Sequence, residues 1–553
     1  MSRLMEWRVF QDANVRSRAS PLSNFLKLSR GVRTVFKKLL GRVGLCRSLD
    51  NLDPAQDRLH VSIDQKFSEP ICVGRGTTLA ISGSCFHPRS RIVRLEISIN
   101  GCTSPVDLHS LKNNRLRRTT PAAQDPRGRS RWSGFAAIVT IPGIDSAVED
   151  HLVARAYLAD GTQHEAIGGT LKLTANCEHF VATPTEIPDR LDTQPLIGIC
   201  MATYNPPRDL FVRQIESIRS QTHTNWICII CDDCSDESIY REMIRELHGD
   251  SRFQIHRNLR NLGFYHNFEK CVSLVPPEVD YVGLSDQDDF WHPDKLASLL
   301  AAFDETTTLV YSDMNLVDPT GRVLKSSYWG TRLNQFERLD LLLIANTVTG
   351  AASLLRRRLL DDILPFPTKQ MDAYHDHWMG CVALALGKIG YVDRPLYDYV
   401  QHGNNVIGHC PGKPKTVRAK VLRCLSLFLP WNFHARLRSF LEDSHRYAKK
   451  SMIYVIRVSR ALEIRMKERM TPEKAKQVQR LSILPGSLRG MFGMLYLILR
   501  RPSGVTETAG EDTVLFRAIL WCKAARFKSW LLSRWSMKIR RSAARRERMS
   551  RLN

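Results

Sequence analysis

Apolar positions change their spacing several times along the chain, and each change marks a different kind of element. Phe25, Leu28, Val32, Val35, Phe36, Leu39, Leu40 and Val43 recur at helical spacing, while Lys27, Arg30, Arg33, Lys37, Lys38 and Arg42 take much of the remaining surface. This predicts a basic amphipathic helix within a segment 1–57. Such a helix suits an anionic lipid interface; the alternative is docking on the protein's own core with a basic outer face. Between 58 and 176 the pattern turns to β-rich runs at Thr78–Gly83, Ile92–Ile99, Phe135–Ile141, His151–Leu158 and Gly169–Leu173, separated by turn signals such as Asn100-Gly101 and Asp160-Gly161. Short strands at that spacing predict an antiparallel, β-sandwich-like domain. The polar insert Asn113–Arg131 is expected to be an exposed, mobile loop. Residues 177–194, rich in Pro, Thr and Asp, read as a linker.

From 195 to about 410 the texture changes again. Leu196–Met201 is a continuous apolar run, as a strand buried on both faces should be. A helix with Phe211, Ile215 and Ile218 on one side follows. Next come a second run, Trp226–Cys231, and a helix with Met243, Ile244 and Leu247. A third strand, Tyr281–Leu284, precedes a helix with Leu296, Leu299, Leu300 and Phe303. This alternation predicts a mostly parallel α/β sheet, with ligands beyond the carboxyl ends of its strands. The remainder, 411–553, reads as a basic helical extension that ends in Lys538, Arg540, Arg541, Arg545, Arg546, Arg548 and Arg551.

Composition narrows the class. At 553 residues, 43% hydrophobic and 25% charged, the chain is an ordinary folded one, not a disordered or collagen-like one. A net charge of +24 calls for an anionic partner, whether nucleic acid, membrane or phosphorylated ligand. Fourteen cysteines are too sparse for a secreted disulfide framework. The start MSRLMEWRVF lacks an apolar signal region, and the longest apolar run, Met491–Leu499, falls short of the ~18 residues a spanning helix needs. The expectation is a cytoplasmic protein, with the inner face of the membrane available as a surface.

The strand ends carry the chemistry. The first ends in Thr203-Tyr204-Asn205-Pro206, the second in Asp232-Asp233 and the third in Ser285-Asp286-Gln287-Asp288-Asp289. Carboxylates brought into one crevice repel one another, and a bound cation or nearby donors would keep them ionised. Hard oxygen ligands suit Mg²⁺ or Mn²⁺ bridging a diphosphate. Turn and helix-cap aspartates are the competing reading, with Asp289 close to a helix start. Cys231 and Cys234 form a C-x-x-C, but no second cysteine pair lies near and Cys231 belongs to a buried strand.

Taken together, IGICMATYN (197–205), SIRSQTHTNWICIICDDCSDE (217–237), NLGFYHNF (261–268), GLSDQDDFWHPDKL (283–296), TGAASLLRRRLL (349–360), YHDHWMG (374–380) and VQHGNNVIG (400–408) resemble the family 2 glycosyltransferases of GT-A fold. The last two stretches are most similar to the rhamnosyltransferase-like branch. The resemblance implies an inverting, metal-dependent transfer of a sugar from a dTDP-, UDP- or GDP-linked donor. The acceptor would be a glycan or polyprenyl-linked molecule in cell-surface polysaccharide synthesis. It implies that Thr203, Tyr204 and Asp232 contact the nucleoside with Asp233 nearby. Gly263 and Asn267 would shape the loop over the nucleotide, and Asp286 would approach ribose and sugar. Asp288 would ligate the metal, with His402 as a further metal or diphosphate contact. Asp376 would be the general base, and an N-cap role for it, with a pKa lowered by the helix terminus, is the alternative. Where the family commonly has Asp-Asp-Gly-Ser, this chain has Cys234 in place of the glycine.

Two other functions compete. Nucleic-acid binding would use the basic flanks, but no reading motif accompanies them, so no specific nucleic acid is expected. A glycan-binding protein with a silent transferase domain would rely on the sandwich instead.

Overall fold

The computed structural model describes residues 58–175, 194–402 and 451–523, apart from positions 107, 112, 121–123, 126, 370–373, 485–487, 500–506 and 509. The predicted helix around 25–43, the linker, the segment 403–450 and the arginine-rich tail lie outside the described residues.

The first part has nine strands in two sheets. β1 (His60–Ile63), β3 (Gly76–Phe86), β7 (Gly134–Pro142) and β6 (Leu108–Leu111) form one, in that order. β2 (Ile71–Cys72), β9 (Gln163–Thr174), β8 (Val148–Leu158), β4 (Ile92–Ile99) and β5 (Cys102–Pro105) form the other. Alternation does the work: Ile97 and Ala154 are fully buried, as are Val139 and Leu173, and all four belong to one apolar cluster shared by the two sheets. All five predicted runs are strands. The short edge strands were missed because two to four residues carry too little pattern. The insert at 113–131 differs from expectation. Asn113 caps a helix at Asn114–Thr119 by accepting from the Leu116 N–H, and buried Asp125 accepts from the Arg129 and Ser130 N–H groups, both at 2.7 Å. Local side-chain-to-backbone bonds organise what composition reads as loop.

The second part is built on a nine-stranded mixed sheet. β12 (Phe253–Arg257), β11 (Trp226–Asp232), β10 (Ile197–Thr203) and β13 (Tyr281–Ser285) run parallel, as the strand–helix alternation predicts. Beyond β13 the pairings are mixed. β17 (Ser353–Arg356) is antiparallel to both β13 and β15 (Thr307–Val317), while β18 (Lys388–Val400) is parallel to β15. β14 (Phe290–Trp291) and β16 (Val323–Lys325) add antiparallel edges. Six of the nine strands therefore point one way, as the mostly parallel expectation has it, and β17, β14 and β16 run against them, because an apolar run marks burial on both faces but not direction.

The helix Ile453–Met466 lies between the two parts. Met452, Ile456, Ala461 and Leu462 are wholly or almost wholly buried, in a cluster that also takes in Ala136 and Ile138 of the first sheet and Trp378 and Met379 of the second part. Its arginines reach backbone carbonyls on both sides: Arg460 donates to Ile138 O (2.8 Å), and Arg465 to Gly76 O (2.6 Å) and Pro365 O (2.8 Å). Asp362, on the short helix Leu360–Ile363, pairs with Arg75 at 3.0 Å and with Arg469.

Leu462→Ala, at a fully buried site, is expected to cost about 3 kcal/mol. A urea-unfolding midpoint that does not move would show that this helix does not hold the two parts together.

Candidate active site

Register brings the three strand ends side by side. Thr203 pairs with Asp232 and Met201 with Ser285, so the residues following β10, β11 and β13 emerge along one edge of the sheet. A cavity of about 590 Å³ opens there. Tyr204, Asp233, Asp286 and Asp288 line it from the strand ends. Gly263 and Asn267 come from the start of the helix Phe264–Ser273, and Asp376 from the first turn of the helix His375–Leu386.

Each side chain has a particular task. Tyr204 is exposed at the mouth; its N–H donates to Gln287 Oε1 at 2.7 Å, tying the first strand end to the acidic loop. Asp233 accepts from the N–H groups of Leu262 (2.7 Å) and Gly263 (2.8 Å) and from Asn258 Nδ2 (2.9 Å). Gly263, at φ 77°, adopts the left-handed backbone this turn requires. Asn267 donates to Cys231 O and accepts from Asn258 Nδ2, so it too holds the loop. Thr203 and Asp232, read as nucleoside contacts, lie behind the cavity wall. Asp232 is fully buried and accepts from the Ser235 N–H (3.0 Å) and Ser235 Oγ (2.5 Å), and Thr203 Oγ1 bonds it at 3.4 Å. Successive strand residues face opposite ways, so only one of two adjacent aspartates can meet the crevice. Cys234 adopts φ 65°, the left-handed backbone that favours glycine. Cys231 is buried inside the sheet and both cysteines are free, so the C-x-x-C is not a paired site.

The acidic loop is strained electrostatically. Burial, then the charges of Asp288 and Asp376, push the Asp286 carboxyl up to about 7. Asp289 is not a helix cap: Asp294 occupies that position before the helix Lys295–Ala301. Asp289 is fully buried, accepts only a 3.3 Å bond from the Val400 N–H at Oδ1, and leaves Oδ2 without a hydrogen-bond partner; burial holds its pKa well above the usual range. Asp288 Oδ2 lies 2.8 Å from His402 Nε2, so the two expected metal residues are brought together. No cluster of three or more His, Cys, Asp or Glu able to hold a metal is present among the described residues. Two protein ligands beside desolvated carboxylates fit a hard divalent cation that completes its shell with water and diphosphate oxygens.

Asp376 lies inside the first turn, with Tyr374 at the N-cap position. Its Oδ1 accepts from the His377 N–H (2.6 Å) and its Oδ2 from the Gly350 N–H (3.3 Å). Burial nevertheless raises its pKa to about 6, so desolvation outweighs the helix terminus and these bonds, the reverse of the N-cap alternative. Lys295, Gln287 and His375 were not singled out in the sequence. Lys295 reads there as one more surface lysine, and only its neighbours Leu296 and Leu299 hint that this face is inward.

Residues 198–364 match the family model described as Glycosyl transferase family 2. An uncharacterized glycosyltransferase of Methanocaldococcus jannaschii is 26% identical over 197 residues, covering 34% of this chain and 66% of that protein. A putative colanic acid biosynthesis glycosyl transferase of Escherichia coli is 32% identical over 111 residues, covering 20% of this chain and 39% of its own. The chain thus spans only part of these relatives' length. Among solved structures, S. aureus TarS 1–349 in complex with UDP-GlcNAc aligns at 14% identity over 59% of this chain and 90% of that one, with a TM-score of 0.34. The segment 198–364 is thus similar to the glycosyltransferases of family 2, and the cavity at its strand ends is the candidate active site.

In buffer free of metal and nucleotide, Asp376→Asn is expected to raise the thermal midpoint at pH 8 and to leave it nearly unchanged at pH 4. The folded-state pKa of about 6 stands above the ordinary 3.8, so the folded protein keeps the proton more tightly and loses that stability as pH rises through about 6. Equal shifts at both pH values, by scanning calorimetry, would refute the burial argument.

Proposed function

We propose that the protein is an inverting, metal-dependent glycosyltransferase moving a sugar from a nucleotide-diphosphate donor to a glycan or lipid-linked acceptor. The observation that carries this reading is the placement of Asp376 on the wall of the same cavity as Asp286 and Asp288. One carboxylate with a raised pKa suits a general base near neutral pH. As the acceptor oxygen bonds to the anomeric carbon, Asp376 takes its proton, and the carbon–oxygen bond to the diphosphate breaks on the opposite face. A single displacement of this kind inverts the centre. Asp288 and His402 would hold Mg²⁺ or Mn²⁺, which when bound supplies positive charge against the departing diphosphate. Asp286 would orient ribose and sugar, and the loop fixed by Asp233 and Asn267 would close over the nucleotide.

The similarity of YHDHWMG and VQHGNNVIG to the rhamnosyltransferase-like branch favours a deoxyhexose donor such as dTDP-rhamnose. The Escherichia coli relative supports a place in polysaccharide synthesis. A peripheral position on an anionic membrane face is supported by the basic flanks and by one stripe of the helix Leu488–Leu499. Leu488, Phe492, Tyr496 and Leu499 are all more than half exposed there. No helix among the described residues is long and apolar enough to cross a membrane.

Thermal unfolding with dTDP, UDP or GDP, each with and without Mn²⁺, tests the catalytic reading. A nucleotide at 100 times its dissociation constant should add about 2.7 kcal/mol. One nucleotide should stabilise the protein only with metal, and Asp288→Asn should remove the effect; no shift with any of the three would leave the domain silent. Sedimentation with phosphatidylglycerol vesicles tests the membrane part. The wild type should pellet and Phe492→Asp/Tyr496→Asp should pellet less, whereas recovery of the wild type in the supernatant would sink that part.

A further inference from the structure

The helix Ile453–Met466 lies outside the matched segment 198–364, yet it reaches the first turn that carries Asp376. Tyr454 Oη lies 2.8 Å from His377 Nδ1, and His377 Nε2 lies 2.7 Å from the Leu342 carbonyl oxygen. A carbonyl only accepts, so Nε2 carries the proton. Nδ1 of the neutral ring then accepts from the tyrosine hydroxyl. Burial lowers the His377 pKa to about 4, so the ring stays neutral at working pH and this arrangement is fixed. The rings of Tyr454 and His377 also pack, with centroids 5.3 Å apart. His377 is clamped from two sides, and its own N–H is the 2.6 Å donor to Asp376 Oδ1.

One turn further along, Arg457 works on the chain leading into the same site. Its Nη2 donates to Thr368 O at 2.7 Å and to Thr78 O of β3 at 2.9 Å, and Thr78 Oγ1 donates back to the Arg457 carbonyl at 3.2 Å. Thr368 and His377, on either side of Asp376 in sequence, are both held by this one helix.

We infer that Tyr454 is a positioning residue for the transfer, fixing Asp376 through His377, so that the C-terminal helix completes the active site of the family 2 domain. The inference rests on the reading of Asp376 as the base. Tyr454 touches neither donor nor acceptor; it acts through the orientation of the carboxylate. Removing its hydroxyl leaves Nδ1 buried without a donor and frees the turn to relax. Misplacement of a base by a fraction of an ångström lowers turnover without weakening donor binding.

The experiment compares the wild type with Tyr454→Phe, His377→Gln, the double variant and Asp376→Asn. Turnover is read as release of nucleoside diphosphate from its sugar conjugate. Gln keeps a donor for the Leu342 carbonyl but offers Tyr454 no ring nitrogen. Tyr454→Phe should lower kcat about tenfold or more. The donor KM and the metal-dependent thermal shift with the nucleoside diphosphate should stay unchanged. His377→Gln should do the same, and the double variant should be no worse than either single one. Unchanged kcat, or losses in kcat and KM together, or additive losses, would overturn the inference. Should Tyr454→Phe fail to bind nucleotide at all, His377→Gln decides alone. Turnover that survives Asp376→Asn would instead remove the base assignment, a different failure with its own signature.

Discussion

One buried ammonium conditions the whole acidic loop. Lys295 is almost fully buried, donates to the Ala351 carbonyl, and lies 3.4 Å from the centre of the Trp291 ring and 4.8 Å from that of Tyr397. Burial pulls its pKa well down, while the charges of Asp289 and Asp286 push it back up. Those acids are raised by the same burial and by one another. One cation facing several desolvated carboxylates cannot neutralise them all, so the acids hold their protons more tightly, and on ionising they leave the loop with a deficit of positive charge. The deficit opens toward the cavity, at Asp286 and Asp288, and not toward the core, where Trp291 and Tyr397 close around the lysine.

The second constraint is mechanical. A two-sheet part and a mixed-sheet part would ordinarily meet through a small, polar interface and move against each other. Here the helix Ile453–Met466 puts apolar residues into a core cluster that reaches from Ile138 to Trp378, and its arginines bond backbone carbonyls on both sides. Backbone acceptors do not depend on which side chain a strand carries. The hydrogen-bonded part of the joint is therefore independent of the side chains those strands carry, while its apolar part rests on Ala136 and Ile138.

How much of this was legible in the sequence follows from the range of each interaction. Strands β10, β11 and β13 were readable because burial on both faces leaves continuous apolar runs, and their ends pointed to the crevice. The direction of β17 was not, because strand direction depends on connections rather than on composition. The choice between Asp232 and Asp233 needed the pleat of β11, which a one-residue uncertainty in the strand end erases. Asp288 and His402 are 114 residues apart and were paired only through the family resemblance. Lys295 carried only the hint of its apolar neighbours Leu296 and Leu299, and Tyr454 carried no signal. A lysine reads as solvated until its ring partners are placed, and a tyrosine on a helix reads as core until its hydroxyl finds a nitrogen.

Arg457 ties the two-sheet part to the part that carries the cavity. It is buried at 3% exposure, and burial pulls its pKa down to about 10. A charge held there costs stability, and an apolar residue of similar volume would pack at least as well. What the guanidinium adds is geometry. Its planar fork holds Thr78 O and Thr368 O together, one carbonyl on β3 and one on the chain that leads to Asp376. Two hydrogen bonds to one side chain thus tie β3 to Thr368. β3 and the helix Ile453–Met466 share bonds in both directions, so the contact is fixed from each side.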